Sequence, residues 1–78
     1  MTVETDQGYR QLLQKATDAK RGGIDSWRVQ STGEKVTVAL VLNRADWLAE
    51  MDYTIAEAID RAGSWLRYVP VVAKELAD

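Results

Sequence analysis

Apolar positions near the start of the chain recur with the period of an α-helix. They are Tyr9, Leu12, Leu13, Ala16 and Ala19. This spacing is that of one face of an amphipathic helix. Thr5 with Asp6 is a suitable start, because such side chains accept hydrogen bonds from the free amides of a first turn. We predict that the helix ends at Gly22-Gly23, because glycine adopts the left-handed conformation that closes helices.

The next two segments show the pattern of β-strands instead. IDSWRVQ alternates between its two sides, STGE is short and polar, and KVTVALVLNR is rich in β-branched residues. Two such runs joined by a short turn that contains glycine are typical of a β-hairpin. We therefore predict two antiparallel strands, with the turn at Gly33.

The second predicted strand has two faces of different character. Side chains on a strand point alternately to opposite faces. One face is strongly apolar and is expected to join the core; it carries Val36, Val38, Leu40 and Leu42. The other face carries Thr37, Ala39 and Val41. We expect this second face to be exposed and to contact another polypeptide.

The second half of the chain is predicted to be helical. RADWLAEM forms a short helix, and the segment from Thr54 to Glu57 is a capping box, in which both side chains bond free amides at a helix start. The following helix is predicted to continue through Gly63-Ser64, because its apolar stripe keeps its phase there. The stripe is predicted to face inward and consists of Ile55, Ala58, Ile59, Ala62, Leu66 and Val69. Pro70 begins a last short helix, since proline is accepted in a first helical turn.

The predicted elements have the order α-β-β-α-α-α. This order defines an α+β fold, in which a two-stranded antiparallel hairpin packs against an N-terminal helix and a C-terminal helical segment. The 78 residues are too few for two cores, so we expect one small globular domain over residues 1–78. An isolated two-stranded sheet is marginally stable. The simplest partner for its open face is a second copy, which predicts a homodimer formed hairpin to hairpin.

The residue types present argue against catalysis. The chain contains no His and no Cys, so the common general base, the common zinc ligands and any disulfide are missing. We expect a protein that is not an enzyme and binds no metal or cofactor. The N-terminal residues MTVETDQGYR do not resemble a signal peptide, and no long apolar segment is present. A cytoplasmic protein without a membrane segment is therefore expected.

Charge is distributed unevenly along the chain. Residues 1–43 have a net charge of +1 and residues 44–78 a net charge of −3. The overall charge of −2 makes nucleic acid an unfavourable partner. A local basic patch between Lys15 and Lys35 is the alternative hypothesis, a nucleic-acid-associated regulator. Its candidate contact residues are Lys15, Lys20, Arg21 and Arg28.

The aromatic residues favour protein binding. All six are Trp or Tyr, which are enriched where a contact is partly apolar and partly wet. Trp65 and Tyr68 are the candidates on the long helix. The main hypothesis is therefore a small non-catalytic protein-binding module: an inhibitor, an adaptor or a regulatory subunit. A more specific form of this hypothesis is a small acidic protein that is encoded by a phage or mobile element and acts on host machinery.

Overall fold

The computed structural model describes residues 6–77 and contains only helices over that range. The predicted α+β fold is therefore wrong: the described residues form an all-α fold with no hairpin. A 3-10 helix, Gly63–Tyr68, connects the fourth α-helix to the fifth. The α-helices are α1 (Gln7–Arg28), α2 (Thr32–Val41), α3 (Ala45–Glu50), α4 (Ile55–Ala62) and α5 (Val69–Leu76).

The segment predicted as the hairpin turn is the start of α2. Ser31 is the N-cap, and its hydroxyl accepts a hydrogen bond from the backbone N–H of Glu34 at 3.3 Å. In return, the Glu34 carboxylate accepts from the Ser31 N–H at 2.9 Å. STGE is thus a second capping box, and it fixes the direction in which α2 leaves α1.

Gly23 interrupts α1 at the position where the sequence predicts the helix to end. Its φ of 72° and ψ of −158° lie in a region that only glycine adopts without strain. The helix is interrupted at this residue, but the chain returns to helical geometry for residues 24–28, which were predicted to form a strand. Asp6 is the N-cap of α1, whereas Thr5, the other predicted start residue, lies outside the described residues.

The predicted second strand is a central helix that is buried on nearly all sides. Its buried residues are Val36, Thr37, Val38, Ala39 and Val41, and α1, α3, α4 and α5 all pack against it. A helix surrounded in this way is apolar around its whole circumference. It therefore shows no helical period, and a short apolar run of this kind cannot be distinguished from a buried strand by periodicity.

Two stacked tryptophans occupy the core between α1 and α3. The rings of Trp27 and Trp47 have centroids 4.8 Å apart and an interplanar angle of 28°. The Trp27 Nε1–H donates to the carbonyl oxygen of Lys35 at 2.9 Å, which attaches the end of α1 to the first turn of α2. Both indoles are almost fully buried, so they contribute to the core rather than to an outer surface.

The second half follows the predicted elements with one correction. The short helix α3 forms, and Thr54 with Glu57 makes the predicted capping box of α4. The predicted continuity through Gly63-Ser64 is wrong, because Gly63 has φ 57° and ψ −129° and turns the chain into the 3-10 helix. Pro70 lies in the first turn of α5, as expected from the position that proline tolerates in a helix.

Candidate interaction surface

The three residues predicted on the outward strand face lie in the interior. Thr37, Ala39 and Val41 are 0%, 1% and 6% exposed. The Thr37 hydroxyl donates to the carbonyl oxygen of Gly33 at 2.8 Å, so its polar atom is satisfied within α2. The expected outward face is therefore absent, and these side chains are not available to form the predicted hairpin dimer.

The two aromatic candidates have different positions. Tyr68 is buried, and its hydroxyl donates to Asp6 Oδ2 at 3.0 Å and accepts from Arg67 Nη2 at 2.9 Å. These bonds join the 3-10 helix to the N-terminus of α1, which gives Tyr68 a structural role. Trp65 is half-buried and packs against the core, so part of its ring is accessible. Contact of Trp65 with another chain stays a prediction.

Most of the predicted basic patch is already paired within the chain. The Lys15 Nζ lies 3.9 Å from Glu34 Oε2, and the Lys20 Nζ donates to the carbonyl oxygen of Leu76. Arg28 donates from Nε and Nη2 to the two carboxylate oxygens of Glu50, at 2.9 and 2.6 Å. These carboxylate partners reduce the positive field that a phosphate backbone requires.

The Arg28–Glu50 pair also changes the ionisation of both groups. The hydrogen bonds from the guanidinium are the main cause that lowers the pKa of Glu50 and raises that of Arg28. Both side chains lie on the protein surface, where such pairs add little to stability. The pair therefore serves mainly to neutralise Arg28 and to connect α1 with α3.

The most accessible apolar surface on a helix lies along one side of α4. Ile55 is 51% exposed and Ile59 is 42% exposed. The two residues are one helical turn apart, so their side chains are neighbours. Val29 is 85% exposed, but it is a single residue at the end of α1. The isoleucine pair is thus the candidate interaction surface of the described residues, and we call it the α4 surface.

Acidic side chains outnumber basic ones on α4 and in the turn before it. Asp52 lies in the turn before α4, Asp60 lies on the helix itself, and both are exposed. Glu57 accepts a hydrogen bond from the Thr54 backbone N–H at 2.9 Å, which is the first cause that lowers the pKa of Glu57. Glu57 is two residues from each isoleucine, so it lies on another face of the helix. Asp60, which follows Ile59 in the sequence, and Asp52 are the carboxylates that can flank the α4 surface.

The sequence contained a signal for the α4 surface that the periodicity did not reveal. Ile55, Ala58, Ile59 and Ala62 were all predicted to face inward. In the structure Ala58 and Ala62 are buried against the rest of the fold while the isoleucines are half-exposed. Small residues allow α2 and α4 to approach closely, so the larger isoleucines beside them remain at the edge of the contact. In α4 the alanines of the stripe make the contact, and the isoleucines border it.

The described residues give no indication of a metal centre or a membrane span. They contain no group of three or more Asp or Glu side chains placed to hold a metal ion. None of their helices is both long enough and apolar enough to cross a bilayer. Comparisons with models of protein families, with curated proteins and with solved structures gave no match.

Proposed function

We propose that this protein is a non-catalytic protein-binding module that contacts its partner through the α4 surface. The exposure of Ile55 and Ile59, 51% and 42%, carries this proposal. Burial of apolar area is the main favourable contribution to protein association, and these side chains leave that area available. The absence of His and Cys from the sequence supports binding rather than catalysis, and the lack of Cys is consistent with a cytoplasmic location.

The charge around the α4 surface selects the kind of partner. Asp52 lies in the turn before α4, Asp60 follows Ile59 on the helix, and the only base on α4 is Arg61. A partner segment with apolar side chains flanked by Lys or Arg matches this arrangement. Complementary charge directs the encounter and excludes acidic partners. An inhibitor that covers a basic surface of host machinery, encoded by a phage or mobile element, is one protein of this class.

A photo-cross-linking experiment tests the proposal. The photoreactive amino acid p-benzoylphenylalanine replaces Ile59 in the protein expressed in its native cells, and cross-linked peptides are identified by mass spectrometry. We expect one protein adduct whose cross-linked peptide contains apolar residues next to Lys or Arg. The same amino acid at Arg10, an exposed position on α1, is the positional control and should give no such adduct.

A matched pair of variants shows whether the adduct depends on the α4 surface. Ile55→Asp adds a charge beside Ile59 and should abolish the adduct. Val29→Asp changes the other strongly exposed apolar residue and should leave it intact. Circular dichroism confirms that both variants are folded. Three results would each refute the proposal. They are an adduct that survives Ile55→Asp, a cross-linked peptide that is acidic, and an adduct with a second copy of the chain.

A further inference from the structure

A groove between α1, the end of α2, α3 and α5 has a composition that differs from the α4 surface. Its volume is about 340 Å³, and it shares no residue with α4. This volume lies at the lower end of the range found for small-molecule sites. The apolar part of the wall includes Val41, Leu42, Trp47, Ala73 and Leu76. The groove therefore offers an apolar surface of the size that a small ligand covers.

The charged side chains at the groove are both cations. Lys20 and Arg44 line it, and none of its lining residues is Asp or Glu. This is unexpected in a chain with a net charge of −2. Asp46, which is not on the wall, pairs with Arg44 and offsets part of its charge, and the Lys20 Nζ also donates to the carbonyl oxygen of Leu76. The positive charge that remains beside an apolar wall favours a ligand that carries a negative group and an apolar body.

Arg44 is held in position while keeping donors available. Its Nε and Nη2 donate to the two carboxylate oxygens of Asp46 at 3.0 and 2.8 Å. Its guanidinium carbon lies 4.4 Å from the centroid of the Trp47 ring, within the range of a cation–π contact. The donors on Nη1 are not used by these bonds, and a guanidinium suits the two oxygens of a carboxylate. Arg44 thus combines a fixed orientation with capacity for an anion.

We propose that this groove binds a small amphiphilic anion, with the apolar body against Val41, Trp47 and Ala73 and the acid group at Arg44 and Lys20. The proposal does not depend on the α4 surface, and either proposal can fail without the other. The ligand is defined by its chemistry: a carboxylate attached to an apolar chain. Decanoate is the probe, and decylamine is the matched cationic probe with the same chain.

Binding is measured by titration in ¹⁵N–¹H NMR spectra. We expect decanoate to shift the backbone signals of Gly23, Ala73 and Ala77 and the indole signal of Trp47, whose Nε1 is buried without an acceptor among the described residues. These signals are expected to shift because Gly23, Ala73, Ala77 and Trp47 all line the groove. Decylamine should bind at least about tenfold more weakly. Three results would refute the proposal: equal affinity for decanoate and decylamine, decanoate-induced signal shifts centred on Ile55 and Ile59, or no decanoate binding below about 1 mM.

Two pairs of variants test separately the charge of Arg44 and the free volume of the groove. Arg44→Gln should weaken decanoate binding by about tenfold, whereas Arg67→Gln should leave it unchanged. Arg67 is the matched control because its guanidinium also stacks on an aromatic ring, 4.9 Å from the centroid of Tyr68, outside the groove. Ala73→Leu fills the groove and should prevent binding, whereas Ala49→Leu, on the exposed side of α3, should not. Unchanged affinity in both groove variants would overturn the assignment.

Discussion

The helices α2 and α4 begin with the same structure but occupy different environments. Each follows a capping box, Ser31 with Glu34 before α2 and Thr54 with Glu57 before α4. After this common start, α2 is surrounded by the other helices, whereas α4 buries two alanines and leaves its isoleucines half-exposed. The capping box therefore determines where a helix starts, and the residues after it determine whether the helix is central or peripheral.

The largest expected effect distinguishes buried from exposed positions on the two helices. Thr37→Lys places a charge at a fully buried site of α2 and should destabilise the protein by about 4 kcal/mol or more. Ile59→Lys, at a half-exposed site of α4, should cost less than about 1 kcal/mol. Urea unfolding monitored by circular dichroism measures both. A Thr37→Lys variant as stable as wild type would show that Thr37 is not buried in α2.

Two glycines provide the next comparison. Gly33 lies in the first turn of α2, where an added Cβ meets no atom within 4 Å, so Gly33→Ala should stabilise the protein by about 0.5–1 kcal/mol. Gly63 ends α4 with φ 57° and ψ −129°, so Gly63→Ala should destabilise it by about 1–3 kcal/mol. Thermal unfolding gives both differences. Equal signs for the two substitutions would show that the two turns do not differ in the way described.

The capping boxes also show which parts of the fold the sequence could predict. The Thr54 box was identified from the spacing of Thr54 and Glu57. An amphipathic stripe predicted the helix after it, as such stripes did for α3 and the final helix. The Ser31 box was interpreted as a turn, because Val36 to Leu42 alternate like a strand and give no helical stripe. Local sequence predicts a helix well where one face is solvated and poorly where tertiary packing surrounds it.

The candidate surfaces depended on tertiary structure even more strongly. Trp65 and Tyr68 were selected for their residue type, yet Tyr68 uses its hydroxyl to hold Asp6 and Arg67 together. The groove near Arg44 combines residues of α1, α2, α3 and α5. No spacing in the sequence brings these positions together, because their proximity results from the packing of helices around α2.

A smaller effect is expected when the hydroxyl of each capping box is removed. Ser31→Ala and Thr54→Ala each leave one amide of a first turn without its side-chain acceptor. Each substitution should reduce stability by about 1 kcal/mol, the usual cost of losing an N-cap. Chemical unfolding of both variants and of the double variant makes the measurement. The two effects should add, because the boxes belong to separate helices; a loss at Thr54 alone would indicate that the Ser31 box does not form.

The smallest expected effect is the pH dependence of the α4 box. The hydrogen bond from the Thr54 N–H lowers the pKa of Glu57 in the folded state. Its contribution to stability is therefore complete above the pKa of an unfolded glutamate, about 4.3, and is lost as the pH falls through the lower folded value. Glu57→Gln removes this titration. Between about pH 7 and about pH 3 the melting temperature of wild type should fall more than that of the variant, so that their difference shrinks at acid pH. Parallel curves would show that the Glu57 carboxylate does not stabilise the start of α4.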